Sequence, residues 1–149
     1  MENRMNMQEI QPAAYKAMLG LEQFLATTKL SKTLKELIKI RASQINGCAF
    51  CIDMHTRDAL AHGETTQRIF LLNAWKETSF FTEEEKTVLA ITEEVTLINQ
   101  QGLTNTTYEK ALRFFTREII AEIIMAIVTI NSWNRIVVST RLPVPGQPQ

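Results

Sequence analysis

The chain has 149 residues, enough for one domain with its own hydrophobic core and without disulfide staples. Sixteen Lys and Arg balance sixteen Asp and Glu, so the net charge is zero, which leaves no electrostatic footprint for nucleic acid or an anionic membrane. Met1 to Gly20 lacks a basic stretch followed by an apolar one, which argues against a signal peptide and for a cytoplasmic protein.

Helical periodicity runs through almost every segment. Leu34, Leu37, Ile38 and Ile45 recur at helical spacing, with Thr33 or Ser31 as the N-cap and Gly47 as the stop. A shorter helix is expected from about Cys48 to His62, ending at Gly63. Another spans Thr65 to Trp75, with Ile69, Leu72 and Phe70 facing inward. Thr82-Glu83-Glu84-Glu85 is a capping-box sequence opening a helix whose stripe is Val88, Ile91, Val95 and Ile98, ending at Gly102. Near Asn105 a further helix places Tyr108, Leu112 and Phe115 together. Thr116 to Val128 is apolar on more than one face, which suits a central helix or one that faces another subunit. Its longest apolar run, Ile119 to Ile130, has twelve residues and contains Glu122, short of the ~20 needed to span a bilayer. The tail from Arg141 to Gln149 holds three of the four prolines and reads as extended. No strand-period run, repeat or linker interrupts this pattern. The expected fold is all-α, a single domain over 1–149 with its core at about 20–144.

The two cysteines, Cys48 and Cys51, lie three residues apart, and His55 follows four residues later. On a helix those three side chains share one face, near an N-terminus that favours a thiolate. A second thiol beside the first can resolve a sulfenic acid or a mixed disulfide. Other readings fit the same residues: two core cysteines, or a zinc site on Cys48, Cys51 and His55 that lacks a fourth ligand. Glu36 has a structural alternative as well. Thr33-Leu-Lys-Glu36 fits a capping box, in which the carboxylate merely reaches back to the Thr33 amide. His62, beside Gly63, suits a helix C-terminus, and Trp75 and Trp133 suit packing.

The pattern Glu36, eleven residues, Cys48-Ala-Phe-Cys51, three residues, His55 resembles the signature of the alkylhydroperoxidase D family, within the carboxymuconolactone decarboxylase-like superfamily. The words INGCAFCIDMHTRDAL, FFTEEEKTVLAITEEVT and NSWNRIVVSTRLPV extend the resemblance over most of Gly20 to Val144. It implies an all-helical fold, trimers or hexamers, and reduction of a peroxide or a disulfide with electrons from a thiol donor. No bound cofactor or resident metal is implied. Carried over residue by residue, Cys51 is the peroxidatic thiol, Cys48 its resolving partner, and Glu36 with His55 the proton relay, with Cys51 expected to be the more acidic thiol; thioredoxin-like CxxC sites would instead make the first cysteine, Cys48, the low-pKa attacker. Phe50 departs from members that place His before the second Cys, and brings an apolar wall instead. The competing functions are a decarboxylase using Glu36 and His55 as acid and base, and a non-enzymatic redox sensor.

Overall fold

The computed structural model describes residues 2–146, and every regular element among them is helical. In chain order these are α1 (Met7–Ile10), α2 (Pro12–Thr27), α3 (Lys32–Asn46), α4 (Ala49–Ala61) and α5 (Thr66–Leu71), which runs into a 3₁₀ turn at Leu72–Glu77. Then come α6 (Glu83–Thr96), α7 (Asn105–Ala111) and α8 (Arg117–Thr140).

Helix α3 is the hub, packed against α4, α6 and α8. Its inward stripe of Leu34, Ile38 and Ala42 joins Val88 and Ile91 of α6 and Ile120, Ile123, Ile127 and Ile130 of α8 in the main core. Burying each of these large aliphatic side chains contributes about 1.5–3 kcal/mol. Leu37 and Ile40, turned to the other side of α3, meet Ala59, Ile69, Leu72, Trp75, Phe81 and Leu89 in a second cluster. One helix thus anchors two hydrophobic layers, and both cysteines lie in the first.

Local caps set the ends. Ser31 caps α3 through its Oγ on the Leu34 amide, so Thr33 is not the cap and the capping box expected for Glu36 does not form. Thr82 and Glu85 do form the reciprocal box expected at α6. Gly47 follows α3 at φ +66°, the left-handed region that glycine enters without a Cβ penalty, and there the chain reverses into α4.

Several expectations change. Helix α2, over Pro12–Thr27, has no counterpart in the periodicity reading, because Leu25 is its one buried residue. Phe70 is 77% exposed: α5 is a short turn whose inward positions are Ile69 and Leu72. Ile98 lies beyond the end of α6 and is exposed, and Leu112 caps α7 and is exposed too. The apolar run in α8 belongs to a 24-residue helix, which by length and composition alone meets the criteria for a membrane span. Its inner face nonetheless carries Thr129, Asn131 and Asn134 into the bundle. The described part of the proline-rich tail, 141–146, has no regular element, and residues 147–149 lie outside the described region.

Candidate functional site

Cys48 is the N-cap of α4, with extended backbone (φ −88°, ψ 92°), and its amide donates to the Ser43 carbonyl at 3.0 Å. Cys51 lies in the first turn of the same helix. The reversal at Gly47 places this turn against α3 and α8, which leaves Cys48 and Cys51 0% and 2% exposed and their sulfurs 2.7 Å apart. Both are free thiols.

His55, one turn further along, is also buried, and its Nδ1 lies 3.0 Å from Oε2 of Glu36 on α3. The reversal folds the Glu36 turn of α3 over α4, which sequence spacing alone does not reveal. A carboxylate at Nδ1 fixes that nitrogen as the one bearing hydrogen and leaves Nε2 as the acceptor. Asp58 Oδ2 is further from Nδ1, at 4.0 Å. Ligand-capable atoms of Glu36, His55 and Asp58 lie within 4.8 Å of one another, a grouping that excludes both thiols and so differs from the Cys48–Cys51–His55 zinc alternative.

The two cysteines line different cavities. Cys51 and His55 line a cavity of about 540 Å³ together with Phe50, Met54, Tyr15 and Trp133. Tyr15 meets Trp133 edge-on with ring centroids 5.3 Å apart, and the Trp133 indole donates to Glu22, which also pairs with Lys39. Cys48 lines a smaller cavity of about 230 Å³ beneath Arg141 to Val144. Phe50 lines both, the apolar wall expected of it.

Acidity divides unequally. The Cys51 thiol, hydrogen-bonded to the Cys48 sulfur, pulls Cys48 down to about 7, against burial and with help from the Cys51 backbone N–H and the Asn134 side chain. Cys51 is pushed up, first as the donor in that contact, then by burial and by the charge on Cys48. This reverses the expected order, in which Cys51 is the more acidic. The cause is the contact within the pair, which favours charge on Cys48 and disfavours it on Cys51; the Cys51 backbone N–H and the Asn134 side chain lower both thiols, and burial raises both.

Sequence reasoning did not identify the polar groups behind the thiols. Asn134 and Asn131 of α8, Asn46 and Ser43 of α3 and Thr96 of α6 form a hydrogen-bonded chain through the core. Its signal was present as two asparagines, three apart, inside a strongly apolar helix. Tyr15 and Trp133 were likewise missed as cavity walls.

The sequence model of the carboxymuconolactone decarboxylase family matches residues 12–94. The uncharacterized protein YdfG of Bacillus subtilis (strain 168) is 43% identical over 136 residues, 91% of this chain and 92% of that protein. A crystal structure from Agrobacterium tumefaciens, of a protein of unknown function described as a candidate antioxidant defence protein AhpD, is 38% identical. It superposes with a TM-score of 0.95 over 98% of this chain and 100% of that one. The apo debrominase Bmp8 superposes with a TM-score of 0.82 at 18% identity, over 93% of this chain and 75% of that one, which is a likeness of fold alone.

Proposed function

Because this chain belongs to the carboxymuconolactone decarboxylase family, with the alkylhydroperoxidase D-like fold, we propose that it is a thiol-dependent reductase of peroxides, cycling between a Cys48–Cys51 dithiol and disulfide. The observation that carries this is the contact of two buried thiols, one of them on the wall of a cavity beside a Glu36-oriented histidine.

In the first step Cys51, the cysteine that lines the larger cavity, attacks one peroxide oxygen with its sulfur as the O–O bond breaks. His55 takes the Cys51 proton, and the relay returns it to the departing alkoxide, giving Cys51 sulfenic acid and an alcohol. Cys48, already ionised near neutrality, then attacks the Cys51 sulfur and expels hydroxide, which is protonated to water. One peroxide and two thiols thus give one alcohol, one water and one disulfide. Two electrons and two protons from an external thiol donor restore the dithiol. In this scheme the low pKa serves the resolving thiol, and the attacking thiol depends on a general base. A cytoplasmic, reducing compartment suits two free thiols held this close.

The test is sulfenic-acid trapping. In Cys48→Ser, cumene hydroperoxide followed by dimedone is expected to label Cys51, and in Cys51→Ser no adduct is expected at Cys48. Labelling of Cys48 alone exchanges the two roles. Absence of oxidation at either sulfur removes the redox reading and leaves acid–base chemistry on Glu36 and His55.

A further inference from the structure

The larger cavity offers more room than the thiol chemistry requires. At about 540 Å³ it lies within the range of roughly 300–1,000 Å³ typical of sites for small organic molecules. A peroxide group needs only the corner beside Cys51 and His55. Elsewhere the wall is apolar at Phe50, Met54, Ile136 and Val137 and aromatic at Tyr15 and Trp133. Its polar groups are largely committed to one another. Trp133 Nε1 donates to Oε1 of Glu22 at 3.0 Å, and Lys39 Nζ donates to Oε2 of the same carboxylate at 3.2 Å. Lys39 is the one Lys or Arg on the described wall, and this ion pair takes up its charge. His55 already faces Glu36 at 3.0 Å. Asp58 adds a carboxylate whose nearest cationic group among the described residues is His55, at 4.0 Å. The wall thus offers no free cation to an anionic ligand. Trp133 itself is half-buried, fixed by Glu22 and by Tyr15 edge-on, both from α2. Met5 to Gln8 complete the wall, tied to the end of α8 by the Arg4 amide on the Thr140 carbonyl at 2.9 Å.

We propose that this cavity binds the organic group of an uncharged aralkyl hydroperoxide, and that Trp133 is the residue that selects it. An indole has one polar hydrogen and no acceptor, and that hydrogen is already given to Glu22. What Trp133 has left to offer a ligand is ring surface. An aryl group laid against it leaves water, and aromatic pairs gain further from offset or edge-on contact. The peroxide end then meets Cys51 and His55, while Phe50 and Met54 close on the apolar end. Hydrogen peroxide makes none of these apolar contacts. A carboxylated hydroperoxide of the same shape makes them but brings its charge toward Glu22 and Asp58, with no cation to receive it.

This assignment rests on the peroxide-reductase reading for its reaction, but its binding test uses an unreactive probe. Cumyl alcohol, which remains when cumene hydroperoxide is reduced, is titrated into reduced protein while the indole ¹⁵N–¹H signals of both tryptophans are followed. The Trp133 signal is expected to move and to saturate at millimolar probe or below. The signal of Trp75, whose N–H is held by Glu93, is expected to stay. The para-carboxylated analogue of cumyl alcohol is expected to bind roughly tenfold more weakly. In turnover, Trp133→Ala is expected to lower the ratio of the cumene hydroperoxide to the hydrogen peroxide rate constant about tenfold. A Trp133 signal unmoved by the neutral probe, equal binding of the two probes, or an unchanged ratio overturns the proposal. Should Trp133→Ala fail to fold, the two titrations on the unaltered protein decide. If no peroxide oxidises the thiols, the peroxide reading fails alone, and the same titrations decide the site.

Discussion

The Glu36–His55 contact turns a spacing pattern into a chemical statement that single substitutions can test. Removing the base in His55→Ala is expected to slow oxidation of Cys51 by a hydroperoxide at least tenfold at neutral pH, measured by stopped-flow loss of thiols. Glu36→Gln keeps the size of the side chain but frees the imidazole from its carboxylate, and a smaller slowing, severalfold, is expected. An unchanged rate in Glu36→Gln would return that residue to a structural role.

The thiols carry a second expectation. Alkylation should rise with pH through about 7 and then level off, because the first proton leaves at Cys48 while Cys51 stays protonated. Cys51→Ala removes the largest stabilising contact, so the Cys48 midpoint should climb toward the ordinary thiol value of about 8.5. A midpoint still near 7 in that variant would assign the acidity to the helix terminus and Asn134 instead. At this scale the sequence was informative for Cys48, Cys51 and His55, which are neighbours on one helix. Pairing Glu36 with them required the family signature, because spacing alone favours the local capping motif. The buried hydrogen bonds of Asn134 to Asn46 and Ser43 were not legible, because no local spacing links α8 to α3.

Between α3 and α4 the turn at Gly47 decides whether the site exists, since it brings Glu36 and His55 together. No atom outside the immediate backbone lies within 4 Å of a Cβ added there, so Gly47→Ala meets conformational strain at φ +66° rather than a clash. The expected cost is about 1–2 kcal/mol in urea unfolding, with thiol reactivity lowered as the turn relaxes. A variant as stable as the parent would contradict the strain argument. Cys48 lies just outside α4, so closing a disulfide to Cys51 asks for a local shift rather than disruption of the helix. Helix ends were readable at Thr82–Glu85 and Gly47, but not at Gly102, since α6 already stops at Thr96. Apolar stripes were less reliable past an end: Ile98 and Leu112 continue the period of their helices but fall where the helix has stopped. Helix α2 escaped detection for the converse reason. It packs on α8 with little of its surface buried, so its pattern is weak.

At the scale of the molecule, α8 is more apolar than one copy of the chain requires. Its outer stripe, Ala121, Ile124 and Val128, is exposed or half-buried, while the opposite face fills the core. Covering that stripe with a second copy accounts for the excess, and the expected species in sedimentation is a multiple of the 17.0 kDa chain. Val128→Asp is expected to shift the population toward monomer without changing the thiol midpoint. A parent protein that is monomeric at micromolar concentration would contradict this. All-helical architecture was legible from periodicity, since no segment alternates with the period of a strand. The arrangement of helices around α3 was not, because both of its faces are apolar and periodicity does not say which neighbour covers which.

The account is tested most directly by adding one equivalent of an alkyl hydroperoxide to the fully reduced protein and analysing it under denaturing conditions, without reductant. Both titratable thiols should disappear together, with a mass loss of about 2 Da per chain, a Cys48–Cys51 link in the peptide map and one equivalent of alcohol released. Two thiols still titratable, or a link between chains in place of the internal one, would contradict it.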